Sequence, residues 1–231
     1  MKSFAILLVC YNRVDSLKLL LKSLEKVDFN GRNDIDLIFS IDYSGNYNVA
    51  RLAESYFWKY GNKRVIKYEK NLGLKKHVLT CGNFTREYEI LVVLEDDLIV
   101  SESLYYFANQ CGDFYEDERS VAGISLYSFE HNWIDTLFPF FPAKGESDVF
   151  FMKIAQSWGQ VWQHRKWCDF LTWIGKMSDN YETNASYPEP LNMWNPKSSW
   201  LRLHDIYCIE CKKYFVYPYN SISTNFSTTS S

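Results

Sequence analysis

Ile90-Leu91-Val92-Val93-Leu94 is an unbroken apolar run, and Glu95-Asp96-Asp97 follows it without a spacer. A run this short, with no alternating polar positions, is the pattern of a strand buried on both faces. Such a strand needs cover above and below, and the preceding residues provide it. Phe4 to Val9 is a second apolar run. After it, Leu17, Leu20, Leu21 and Leu24 form one helical stripe, with Asp15 or Asn12 as its cap. Ile35 to Ile41 reads as the next strand, and Val49, Leu52, Ala53, Tyr56 and Phe57 as the next helix. Val65 to Tyr68 and a helix over Leu74 to Phe84 complete a β-α-β-α-β succession. That order implies an α/β chain with a mostly parallel sheet and helices on both faces. Ligands of such sheets sit beyond the carboxyl ends of the strands.

The rhythm is lost in the second half. Residues 127–150 read as irregular, aromatic-rich loop, Ser157 to Met177 as a Trp-rich helix, and residues 178–197 as loop again. A helix from Ser199 to Lys212 and a strand from Tyr214 to Tyr217 close the chain before a Ser/Thr tail from Ser227. With no repeat and no linker, residues 1–231 are expected to be one domain. It divides into a regular 1–125 half and a variable 126–231 half.

Composition narrows the partners. A net charge of −3 lacks the Lys/Arg excess that a phosphate backbone demands, so nucleic acid is not expected. Aromatic residues make up 18% of the chain, including 8 Trp and 17 Tyr, and such flat faces suit sugar rings as well as cores. No run approaches the ~20 apolar residues of a spanning helix, and Met1-Lys2-Ser3 leads directly into the first strand without a secretion signal. The chain therefore reads as cytoplasmic, with peripheral membrane association left open. Cysteines at 10, 81, 111, 168, 208 and 211 are scattered like reduced thiols. Cys208-x-x-Cys211 lacks the second pair of a zinc site. The sequons at Asn83, Asn184 and Asn225 read as chance matches.

Three strand ends carry the chemistry: Cys10-Tyr11-Asn12-Arg13, Asp42-Tyr43-Ser44-Gly45 and Glu95-Asp96-Asp97. Adjacent carboxylates repel one another, an arrangement that a shared cation relieves. Hard divalent ions take carboxylate and phosphate oxygens. A solvated acidic turn is the plainer alternative, as an ordinary turn residue is for Asp42. The helical Trp158, Trp162 and Trp167 are expected to fill core, with one of them free to stack on a sugar. His164 and His204 have no ligand partners nearby in sequence.

The order Val9-Cys10-Tyr11-Asn12-Arg13, Asp42, Asn71-Leu72-Gly73, Leu94-Glu95-Asp96-Asp97 resembles the glycosyltransferases of the family-2 kind, which have the Rossmann-like GT-A fold. The Glu-Asp-Asp triplet is also similar to that of N-acetylglucosaminyltransferase I. Ser157-Trp158-Gly159-Gln160-Val161-Trp162 and Tyr217-Pro218 through Thr224-Asn225-Phe226 resemble transferases of capsule and O-antigen assembly. The resemblance implies a donor site of Cys10, Tyr11, Asn12, Arg13, Asp42, Asn71, Gly73, Lys75, Glu95 and Asp96. Within it, Asp42 would accept from a uracil N–H and Glu95 would hold a donor-sugar hydroxyl. Asp97 would bind Mn²⁺ or Mg²⁺ directly, and Asp96 would hold the ribose or a metal-bound water. Trp158 and Gly159 would face the acceptor, a saccharide either free or lipid-linked.

The resemblance further implies inversion, and so a general base. Ser198-Ser199 stand before Trp200-Leu201-Arg202, where N-acetylglucosaminyltransferase I has an acidic pair. Asp205 is the substitute chosen, then Asp169, then Asp148. Relatives continue past the Phe226 region with a Gly and a His, so the chain is expected to be a shortened form. Two other readings stay open: a nucleotide-sugar-binding protein without turnover, and a nucleotidyltransferase, which the absence of glycine from residues 10–13 disfavours.

Overall fold

A computed structural model describes residues 2–132, 138–177 and 187–226. The Asn184 sequon and the tail from Ser227 lie outside the described residues. The first half runs β1 (Phe4–Cys10), α1 (Val14–Leu24), β2 (Ile35–Ile41), α2 (Asn48–Ser55), β3 (Lys63–Lys67), α3 (Leu74–Cys81) and β4 (Ile90–Glu95). A 3-10 turn (Gly82–Arg86) extends α3. Then come β5 (Leu98–Val100), α4 (Leu104–Phe114), β6 (Val121–Ser125), β7 (Val149–Met152), β8 (Gln160–Trp162), α5 (His164–Ile174), α6 (Glu189–Met193), α7 (Trp200–Glu210), β9 (Tyr214–Pro218) and β10 (Ser223–Asn225).

The main sheet has the strand order β3-β2-β1-β4-β8-β6-β9-β7. From β3 to β4 all pairs are parallel, while β8 and β7 run against their neighbours. β5 and β10 form a separate antiparallel pair. The expected α/β architecture is thus present as a mostly parallel, mixed sheet. β1 shows why its sequence lacks alternation. Phe4, Ile6, Leu8 and Cys10 enter the core on the α1, α2 and α4 side. Ala5, Leu7 and Val9 enter the opposite core, which α3, α5 and α7 cover.

Register brings three strand ends level. Val9 lies opposite Glu95, and Cys10 opposite Ile41. Backbone bonds continue just past the strands, with Asp42 N–H donating to the Cys10 carbonyl at 3.0 Å and Asp96 N–H to that of Val9 at 3.1 Å.

Several local readings need correction. α1 is preceded by Arg13 at its N-cap, without a side-chain cap from Asn12 or Asp15. α2 stops at Ser55, so Phe57 lies beyond the helix and is exposed. The expected Trp-rich helix is divided: residues 160–162 form β8, inserted between β4 and β6, and the helix starts only at His164. The loop read over 127–150 ends in β7, which pairs with β9.

Candidate functional site

Val9, Cys10, Tyr11, Arg13, Asp42, Asn71, Gly73, Leu74, His77, Glu95 and Asp96 line a cavity of about 330 Å³ beyond the ends of β1, β2 and β4. Asp42 closes one side of it, buried, with both carboxylate oxygens engaged. Oδ1 accepts from the N–H groups of Tyr43 (2.9 Å) and Leu72 (2.8 Å), and Oδ2 from Gly73 (3.0 Å). It thereby ties the loop before α3 to the end of β2. Gly73 has a φ of 76°, which a side chain would strain. Asn71 donates from Nδ2 to the Tyr43 carbonyl (2.9 Å) and to the Tyr11 hydroxyl (3.4 Å).

The other side is acidic. Asp96 accepts from the Tyr11 N–H at 3.0 Å, and Arg13 bridges Asp96 Oδ1 (3.2 Å) and Asp97 Oδ2 (2.7 Å). Burial raises the pKa of Asp96, against the Tyr11 amide and the Arg13 charge. Burial and then the charges of Asp97 and Asp96 push Glu95 up to about 7, although the Trp200 side chain hydrogen-bonds it. Asp97 keeps a buried Oδ1 without a hydrogen-bond partner. That orphaned oxygen fits a hard cation, as does the half-exposed Arg13 already sitting on the neighbouring oxygens. Among the described residues no three His, Cys, Asp or Glu side chains gather as a ligand set. An ion here would complete its shell with water and ligand oxygens, as small divalent ions commonly do.

A second cavity of about 420 Å³ opens on the far side of Glu95. Its walls include Leu74, Ser157, Met193, Trp194, Asn195, Ser199 and Trp200. Glu95 and Leu74 belong to both cavities.

Not every expected residue joins them. Asn12 is exposed and outside the first cavity's wall. Lys75 lines a separate groove beside α3, its Nζ donating to the Pro196 carbonyl at 2.9 Å. Trp158 packs edge-on against Tyr127 with centroids 4.5 Å apart, while its neighbour Ser157 reaches the second cavity. Gly159 is demanded by packing: at φ 96°, a Cβ there would meet Ser223 Oγ at 2.8 Å.

The expected bases are elsewhere. Asp205 is 1% exposed, accepts from the Ala155 N–H and lines neither cavity. Its place on the inward face of α7 follows from that helix being buried almost all round. Asp169 lies on α5, 3.9 Å from Lys213 and remote from both walls. Asp148 is exposed just before β7. His204 is enclosed by Phe170, Trp200 and Phe215, and burial lowers its pKa to about 3. His77, in contrast, lines the first cavity without having been singled out by its sequence. Its spacing of one helical turn from Gly73 was the available signal.

The family model for glycosyl transferase family 2 matches residues 5–159. No curated protein matches the chain. Among solved structures, it is similar to GalNAc-T7 with UDP, GalNAc and Mn²⁺, at 12% identity and a TM-score of 0.60 over 98% of this chain and 43% of that one. It is also similar to S. aureus TarS 1–349, at 14% identity and a TM-score of 0.51 over 80% and 52% of the two chains. The chain thus spans about half or less of the length of these solved chains. The likeness is one of fold, the GT-A arrangement of sheet and helices.

Proposed function

The chain belongs to glycosyl transferase family 2, and we propose that it moves a sugar from a uridine-diphosphate sugar to a saccharide acceptor, with a divalent metal. The observation that carries this reading is the buried, unpartnered Oδ1 of Asp97, next to the cavity that Asp96, Arg13 and Asp42 enclose. GalNAc-T7, of the same fold, was solved with UDP and Mn²⁺, which is in keeping with it. The finer setting we propose is polysaccharide assembly at the cytoplasmic side of a membrane. No helix among the described residues is long and apolar enough to cross one.

In this reading, residues 1–125 hold the nucleotide and residues 126–231 form most of the acceptor wall. Asp97, and Asp96 through water, would hold Mn²⁺ or Mg²⁺, which when bound supplies positive charge to the departing diphosphate. Arg13 adds a half-exposed cation at the same carboxylates. In transfer, an acceptor oxygen bonds the anomeric carbon while the carbon–oxygen bond to the diphosphate breaks. The nucleotide leaves with the electron pair, and the acceptor's proton passes to water or to the departing diphosphate. Glu95, between the two cavities, holds a sugar hydroxyl at that junction.

A second reading, donor binding without transfer, is favoured by the burial of Asp205 and the remoteness of Asp169. Calorimetric titration of UDP with Mn²⁺ and with excess chelator tests the main one. Affinity is expected to fall at least tenfold in chelator, ~1.4 kcal/mol, and Asp97→Asn should remove that dependence. Unchanged affinity in chelator would overturn the metal role. Product formation from nucleotide-sugars with saccharide acceptors then separates transfer from holding.

A further inference from the structure

His77 is 3% exposed, yet its ring lines the first cavity on the side of Asp42 and Gly73. Beneath it lies Ser40 of β2, fully buried, with Oγ 2.8 Å from His77 Nε2. The Ser40 hydroxyl has two more partners. The Cys81 thiol donates to it at 3.3 Å, and the Tyr68 hydroxyl is hydrogen-bonded to it.

A serine hydroxyl has one proton to give and two lone pairs to receive. Of its three partners the imidazole nitrogen is the strongest acceptor, and the thiol and phenol are the more acidic donors. An assignment that satisfies all three, and gives the Ser40 proton to the strongest acceptor, has Cys81 and Tyr68 donating to Ser40 and Ser40 donating to Nε2. The ring proton then resides on Nδ1. Burial lowers the pKa of His77, which keeps the ring neutral and this tautomer meaningful. Nδ1 makes no hydrogen bond among the described residues, and it is not one of the enclosed unpaired atoms, so this edge of the ring is open to the cavity that His77 lines. The nearby Asp42 carboxylate is taken up by three backbone N–H groups. A neutral ring N–H directed at a cavity offers a donor to an acceptor on whatever fills it.

We infer that His77 is a specificity-determining residue of the nucleotide site, its Nδ1–H donating to an exocyclic carbonyl of the base and so admitting uracil while opposing cytosine. The inference rests on the reading of this cavity as the nucleoside pocket. Cytosine carries an amino group where uracil has a carbonyl, so donor would face donor. Asp42 acts in the same pocket as the brace of its loop, and His77 supplies the hydrogen bond that distinguishes the bases.

The test is the ratio of UDP to CDP affinity, by calorimetry with Mn²⁺, for the full chain and three variants. Wild type should prefer UDP by about tenfold or more, the discrimination of a site built to pair with a polar group. His77→Phe should weaken UDP and bring the two affinities within about twofold. His77→Gln, which keeps a neutral N–H, should retain part of the preference. Ser40→Ala frees the tautomer while removing a single buried oxygen. It should lower the ratio, and it keeps the test decisive if His77→Phe fails to fold. A ratio unchanged in a folded His77→Phe or, where that variant does not fold, in Ser40→Ala, with UDP still bound, overturns the role of His77 alone. Failure of wild type to bind either nucleotide removes the nucleoside pocket, and this inference with it.

Discussion

Asp42 occupies a position that its sequence context made ambiguous between turn residue and base reader. Its two oxygens accept the N–H groups of Tyr43, Leu72 and Gly73, so the carboxylate is first a brace for the loop that walls the cavity. Replacing it by Asn turns one acceptor into a donor that faces an N–H. Asp42→Asn should therefore cost about 1–3 kcal/mol in urea unfolding, the usual penalty of an unmade buried bond. UDP affinity should fall with it, because the Leu72-Gly73 turn loses its anchor. Normal stability with weakened UDP binding would instead indicate contact with the base itself. The carboxylates at 95–97 were legible because three acids ending an apolar run have few explanations. His77 was not, because its role depends on Ser40, Cys81 and Tyr68, which reach it from β2, α3 and the segment after β3.

At the scale of elements, β1, β2 and β4 were readable because burial on both faces removes polar positions from them. β8 was not. Its three residues carry Val161 and Trp162 into the core beside Trp167, and Trp162 and Trp167 stack at 4.1 Å, so spacing alone suggested one continuous helix. α7 was correctly placed, yet the faces of its side chains were not, because it is buried almost all round and has no clear polar stripe. That burial has a measurable result. His204 is held neutral, its pKa lowered from 6.5 to about 3. The unfolded chain therefore binds the proton first, and stability is lost as pH falls below 6.5. Burial raises Asp205 well above 3.8, so the unfolded chain releases its proton first and stability is lost as pH rises above that value. Thermal unfolding across pH should show His204→Phe gaining on wild type toward acid and Asp205→Asn gaining on wild type toward alkali. Parallel profiles for wild type and both variants would mean that neither group differs in proton affinity between folded and unfolded chains. An Asp205→Asn chain with wild-type kinetics would agree with its distance from the cavities.

Across the whole molecule, the two cavities meet at Glu95, with the first lined by residues between 9 and 96 and the second largely by residues 157–201. The first wall comes from strand ends whose order is visible in the chain. The second is assembled from α6, the turn after it, the start of α7 and the turn before β8, segments that only tertiary packing brings together. A residue shared by both walls should affect the transfer step more than the binding of either partner. Glu95→Gln keeps the volume and a hydrogen-bonding side chain while removing the charge. If Glu95 holds a sugar hydroxyl where acceptor and donor meet, kcat should fall by about tenfold or more, because an interaction strengthened in the transition state is lost. UDP lacks the transferred sugar whose hydroxyl Glu95 would hold, so its Kd in the variant should stay within about threefold of wild type. A matching loss of UDP affinity would place Glu95 with Asp96 and Asp97 in holding the diphosphate or its metal. An unchanged kcat would leave the Glu95 carboxylate as a structural partner of the Trp200 side chain at the entrance to α7.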